Sequence, residues 1–229
     1  MARRTGQPAL DRAQVVGAAL KLLDEVGLDG LTLRGVAKEL DVQAPALYWH
    51  VRNKRELLDE MATAMLRDLR EAAVADGGTA DGAPEEASWQ EALAAMNRQL
   101  RRALLRHRDG AKVFAGTRLT DAGHAAAQDA YLRRLVRAGF SPGAAARAGF
   151  IAFVFTEGFV IEQQAVHPMP DERAPGYDVG ERAAGIGADF PLAAEAGADL
   201  FADYDARFEE GLAAVIAGID AMMGPRAGS

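Results

Sequence analysis

The chain contains no cysteine in 229 residues. That excludes a disulfide framework and any thiolate-held metal, and removes dependence on an oxidising compartment. Aromatic residues are scarce at 7%, and there are only four histidines. The longest apolar stretch, near Phe150–Phe155, is far shorter than the roughly 20 residues of a membrane span. The basic opening Met1-Ala2-Arg3-Arg4-Thr5-Gly6 runs into no apolar signal segment. These absences predict a cytoplasmic protein with no membrane partner.

What is present suits one or two packed domains: 49% of residues are hydrophobic and 26% charged, which is not the composition of a disordered chain. The net charge of −7 is unevenly spread. Residues 1–56 hold nine Lys or Arg against seven Asp or Glu, and the remainder 17 against 26. Overall acidity argues against non-specific coating of nucleic acid. A slightly basic head still permits a local DNA contact, because screening confines the phosphate attraction to ~8–10 Å.

Nearly every pattern has helical period, so the expected class is all-α. Asp11 and Gln14 make a capping pair before Val15, Val16, Ala19, Leu22, Leu23 and Val26, with Gly27 as the stop. A second helix follows Thr32, and Asp41-Val42 is a tight connection. A third helix, with Pro45 in its first turn, is expected to end near Val51. Asn53 then caps a long fourth helix. Ala75–Glu85 reads as a Gly/Ala/Asp-rich loop. Ser88 with Glu91 opens a helix to about Arg106, and shorter helices cover Asp109–Gly116 and Asp121–Ala138. Ser141-Pro142 starts a helix to Gln164 that is apolar nearly all round. His167–Gly187 reads as a loop, and an amphipathic helix over about Asp203–Met223 ends the pattern.

Three short helices with tight connections suit a helix-turn-helix head over residues 1–56, followed by a helical body over 57–229. The third helix would enter a major groove about 12 Å wide. Leu47 and Val51 would anchor it, leaving Gln43, Ala44, Pro45, Ala46, Tyr48 and Trp49 on or near the open side. Gln43 can pair with an adenine edge; the alanines and proline offer only apolar contact. Arg52, Lys54 and Arg55 follow without an acid since Asp41, and Lys54 at a helix start makes a phosphate site. Thr32 and Arg34 would contact the other side of the groove. A plainer reading makes Tyr48 and Trp49 half-buried core and the basic run a solvated helix start.

The segment Leu31-Thr32-Leu33-Arg34-Gly35-Val36-Ala37, followed by Ala46-Leu47-Tyr48-Trp49-His50-Val51-Arg52-Asn53-Lys54-Arg55, resembles the head of the TetR family of bacterial transcriptional repressors. The likeness extends to the tetracycline-repressor branch through Ser88-Trp89-Gln90, Arg108-Asp109-Gly110-Ala111-Lys112-Val113, Gly116-Thr117-Arg118 and Ile161-Glu162-Gln163-Gln164, and covers about residues 10–165. It implies phosphate roles for Thr32, Tyr48 and Lys54, and base-reading roles for Arg34 and the start of the third helix. Leu33 and Gln43-Ala44-Pro45-Ala46 depart from that branch, so a different operator is expected, each good base contact being worth ~1–3 kcal/mol of discrimination.

The resemblance also implies a homodimer, built from the Ser141–Gln164 helix and the terminal helix, on a near-palindromic double-stranded operator. Pattern alone leaves those helices open as intramolecular core. In the tetracycline-repressor branch a magnesium-chelated drug sits between head and bundle. Here the metal-binding histidine falls at Phe114, two drug contacts at Met96 and Leu100, a glutamine at or beside Tyr131, a second histidine at Val154, and another at Arg70. Thr117, Arg118 and Glu162 are kept. Phe114 has no lone pair to offer a metal, so no metal or cofactor is expected. The implied effector is a larger, more apolar small molecule fixed by Arg118 and by Glu157 or Glu162. Arg106–Arg118, with Gly110 and Gly116 as joints, would link pocket to head. Two other readings are a DNA-binding protein without small-molecule control, and a small helical enzyme. The latter has no Ser/His/Asp arrangement or phosphate-cradling loop in its favour, and Arg118 with Glu162 reads more simply as an ion pair.

Overall fold

Helix starts are written in side-chain capping, and the computed structural model, which describes residues 10–75, 83–186 and 189–225, shows how. Helix α1 (Arg12–Gly30) opens on a complete capping box between Asp11 and Gln14 and bends at Gly27, whose φ of 72° leaves the helical region. Thr32 accepts from the Gly35 N–H and so starts α2 (Leu33–Glu39). Asp41, at φ 52°, turns the chain into α3 (Ala44–Leu47), which carries Pro45 in its first turn. Asn53 accepts from the Glu56 N–H at the head of α4 (Lys54–Ala75). Ser88 and Glu91 form a second capping box, for α5 (Trp89–Leu105).

The short α6 (Gly110–Phe114) and α7 (Gly123–Arg137) lead to α8 (Pro142–Val166), capped by Ser141. Then come α9 (Val179–Ile186), α10 (Pro191–Leu200) and α11 (Tyr204–Met223). Among the described residues every regular element is helical, as the sequence predicts.

Several expectations need correction, the first being Gly27, which bends α1 rather than ending it, since the helix runs on to Gly30. The third helix stops at Leu47, because a turn at Tyr48–His50 swings Val51 into the core, where it is fully buried. His167–Gly187 is not all loop: it contains α9, and the unanticipated α10 packs against it. Residues 76–82 of the Ala75–Glu85 loop, Gly187 and the basic opening lie outside the described residues. The 56/57 boundary runs through α4, and one core cluster joins Val15, Leu23 and Leu47 of the head to Met61, Leu104, Phe114 and Val160.

Helix α8 is long and apolar enough to cross a membrane by length and composition, although no single uninterrupted apolar run in the sequence suggested it. It packs instead on α5, α6, α7 and α11. Its inward stripe is Ala148, Ala152, Thr156, Val160 and Gln164, four residues apart and all buried. The opposite side is not covered within one chain: Phe150, Ile151 and Val154 are exposed.

Candidate DNA-reading head and effector site

The head places its predicted readers outward. Leu47 and Val51 are fully buried, so α3 is pinned by its inner face. Thr32, Arg34, Gln43, Pro45, Tyr48 and Trp49 are exposed, with Ala44 and Ala46 half-buried between them. Trp49 is 89% exposed, which removes the reading of it as core. An indole held in water gains nothing from the fold, and it becomes useful when a surface covers it. Arg34 makes no ion pair among the described residues. Lys54 differs from expectation: its Nζ donates to the Leu28 carbonyl at 2.8 Å, so it ties the end of α1 to the start of α4. The two remaining N–H donors of that ammonium stay available to an anion. Arg52 and Arg55 are drawn towards Glu56 and Asp59.

The predicted wall of the effector site separates into two groups. Leu100 and Phe114 are buried in the large cluster, where Phe114 faces Phe153 at 6.0 Å between ring centroids. Tyr131, with Met96 packed nearby, belongs to a second cluster around Trp89, Leu135, Phe140 and Ala152. Its hydroxyl donates to the Ala145 carbonyl at 3.2 Å, its ring rests against Gly149, and burial pushes its phenol well above the usual range. Tyr131 therefore fastens α7 to α8. Val154 is 45% exposed on α8 and belongs to none of the core clusters. An all-apolar helix gives no periodicity from which that placement could be read.

The polar members are informative in their hydrogen bonding. Thr117 donates to the Phe114 carbonyl at 2.7 Å, and the Arg118 N–H donates to Asp59 at 2.9 Å while its side chain is exposed. Arg118 and Glu162 do not form the expected ion pair; both are exposed. Arg70 pairs with Asp121 at 3.3 Å. Among the described residues, two buried side-chain atoms lack a partner, Arg70 Nη1 and Glu157 Oε1. Burial raises the Glu157 carboxyl above its ordinary value. Both residues belong to the predicted site.

Sequence reasoning missed the joints between body and head. Asp24 of α1 accepts from the Arg108 N–H at 3.0 Å and contacts His107 Nδ1 at 3.0 Å. Asp109, left-handed at φ 53°, accepts from the Leu28 N–H at 2.9 Å, beside the Gly27 bend. Arg55 of α4 donates to the Gly116 carbonyl. Buried Gln164 donates to the Leu104 and His107 carbonyls and accepts from the Ala111 N–H, so α8 clasps both ends of the α5–α6 turn. Gly110 is not a free joint: a methyl there would overlap the Leu104 carbonyl. Gly116, at φ 63° with open space around it, keeps that freedom. A concavity of about 420 Å³ also lies outside the predicted set, between Leu105, Gln163, His167, Met169, Tyr204 and Asp205.

Two family models match the chain. One, described as bacterial regulatory proteins of the tetR family, covers residues 15–61; the other, the tetracyclin repressor-like C-terminal domain, covers 81–223. The tetracycline repressor protein class A from transposon 1721 of Escherichia coli is 44% identical over 209 residues, spanning 90% of this chain and 88% of that one. A crystal structure of a possible TetR family transcriptional regulator from Streptomyces coelicolor A3(2) superposes with a TM-score of 0.77 at 39% identity, covering 92% of this chain and 99% of the other. The class A repressor in complex with 5a,6-anhydrotetracycline and magnesium gives 0.64 at 37% identity, covering 93% and 99%.

Proposed function

Because this chain belongs to the TetR family of bacterial ligand-responsive transcriptional regulators, which bind operator DNA as dimers, we propose that its own effector is a largely apolar small molecule rather than magnesium-chelated tetracycline. The observation that carries this is Phe114: it is 8% exposed and lies tilted against Phe153, at the position where the resemblance puts a metal-binding histidine. A phenyl ring supplies no nitrogen or oxygen lone pair, and hard divalent cations need such donors. Met96 and Leu100 add apolar wall where the branch has amide and aromatic drug contacts.

Residues 1–56 would read the operator through Thr32, Arg34, Gln43, Ala44, Pro45, Ala46, Tyr48, Trp49 and Lys54. Residues 57–229 would dimerise and hold the effector near Arg70, Met96, Leu100, Phe114, Thr117, Arg118 and Glu157. Release would follow from linkage, since an effector that prefers a conformation with mis-spaced heads lowers operator affinity by its differential affinity for the two states. A coupling of ~3 kcal/mol gives more than a hundredfold loss. The contacts of Asp24, Leu28, Arg55 and Asp59 with residues 107–118 supply a mechanical route. The relatives are transcriptional regulators, which supports a regulatory rather than a catalytic role.

A thermal-shift screen followed by operator mobility shifts tests the reading: a compound that stabilises the dimer also releases DNA. Tight tetracycline binding that requires magnesium would overturn the choice of effector. Stabilising compounds that never alter operator affinity would favour DNA binding without small-molecule control.

A further inference from the structure

Glu157 is the one acid of α8 held against the core without a counter-charge. Phe153, Glu157 and Ile161 stand four residues apart on one stripe, and both flanking residues pack on the cluster containing Phe114 and Leu100. One residue earlier, buried Thr156 is satisfied, donating to Asn97 Oδ1 at 2.7 Å. Glu157 Oε1 is buried and receives nothing. A native fold rarely leaves a buried carboxylate oxygen unpaired, and such exceptions mark positions where a missing partner belongs.

Several charged groups of the surrounding elements are engaged elsewhere or face solvent. Arg101 of α5 holds Asp205 at 2.7 Å and Gln163 at 2.9 Å. Lys112 of α6 holds Asp109, and Arg70 of α4 holds Asp121 through Nη2, its Nη1 being the other unpaired buried atom. Arg207 of α11 lies over the Phe159 and Tyr204 rings. His124 of α7 meets the Asp121 carbonyl, and Arg118 is exposed. Burial is the cause that moves the Glu157 carboxyl upward, with no nearby cation to offset it.

We infer that Glu157 recognises a positive charge on the effector: a hydrophobic, ring-containing molecule whose single protonated amine meets Oε1 while its rings lie against Phe114 and Phe153. This rests on the reading of the body as an effector site. The ammonium restores the missing charge and donates a charge-assisted hydrogen bond, which is stronger than a neutral one. Burial favours the protonated carboxyl and the ammonium favours the carboxylate, so at a pH low enough for the free site to hold a proton, binding releases it to the buffer. An anionic ligand of the same shape would meet Glu157 with its charge reversed.

The test uses the full-length dimer and three fluorescent probes of one ring system: pyrenemethylamine (protonated at neutral pH), pyrenemethanol (uncharged) and pyrenecarboxylate. The amine binds about tenfold or more tighter than the alcohol, and the carboxylate binds weakest. In Glu157→Gln the ratio of amine to alcohol affinity falls to near one. Calorimetry in buffers of different ionisation heat, repeated as pH is lowered, detects proton release that grows towards acid with the native chain and none with the variant. Equal affinity for amine and alcohol, a ratio unchanged in Glu157→Gln, or no binding of the amine overturns the assignment. Operator release by an uncharged compound would leave the regulator reading standing and sink only the role of Glu157. Insensitivity of operator affinity to every bound compound would instead sink the effector reading itself.

Discussion

Replacing Gln164 by leucine removes the clasp between α8 and the α5–α6 turn with little change in volume. Three hydrogen bonds are lost: two donated by Nε2, at 3.2 Å to Leu104 and 2.7 Å to His107, and one accepted by Oε1 from the Ala111 N–H at 3.2 Å. Each net bond is worth ~0.5–1.5 kcal/mol, and a buried donor left unpaired costs a further ~1–3 kcal/mol. Ala111 is fully buried, so its N–H has no easy access to water. The expected loss is ~3–4 kcal/mol, a large part of a domain stability of roughly 5–15 kcal/mol. Urea unfolding at one fixed protomer concentration measures it, since a dimer's midpoint moves with concentration. A loss under ~1 kcal/mol would mean that neighbours or water replace the amide. Gln164 would then not stiffen the link to the head.

Two predictions concern the head and its joint. Trp49→Ala changes stability by no more than ~0.5 kcal/mol, because the exposed indole touches little of the fold, yet it weakens operator binding about tenfold in a mobility shift at fixed salt. An unfolding midpoint that drops with affinity would make Trp49 structural. The second concerns Asp109. Desolvation pulls its carboxyl upward, but the Leu28 N–H and the Lys112 ammonium outweigh that and hold it below the ordinary value. Its contribution is therefore full above the unfolded value of ~3.9 and disappears as pH falls through the lower folded one. Asp109→Asn flattens that acid limb of urea stability, and an unchanged limb would show that the carboxylate is not what holds the α1 bend.

Where local chemistry governs a feature, the residues announce it. The capping boxes at Asp11/Gln14 and Ser88/Glu91 and the Thr32 and Ser141 caps were legible, because each depends on side chains within three or four positions; Gly27 announced a break in α1 but not that the helix resumes to Gly30. The outward face of the head was legible too, since Leu47 and Val51 fix its inner side. Helix α9 was not: Val179–Ile186 is only two turns long and buries nothing, and prolines before it suggested loop. Within the candidate site, residue types carried the chemistry but not the rotation of α8. That rotation decides that Glu157 faces inward and Val154 outward, and it is set by tertiary fit of Ala152, Thr156 and Val160. The body-to-head bonds of Asp24 and Asp109 join residues more than 80 positions apart, and no spacing rule foretells such pairs.

The outward side of α8 bears on the dimer directly. Phe150, Val154 and Gly158 form an exposed stripe at intervals of four, and Ala214, Ala217, Gly218 and Ala221 form one of small residues on α11. Small side chains let helices approach closely, and an apolar stripe left in water favours a partner surface. Val154→Glu places a charge in the middle of that stripe without touching the head or the Phe114 cluster. Sedimentation should then show a monomer at concentrations where the native chain is dimeric. Operator affinity should fall at least tenfold, because two linked heads bind a palindrome with an effective concentration that a single head lacks. Binding to a half-site should be unchanged. A monomeric variant that retained full affinity for the whole operator would break the connection between the α8 face and DNA recognition.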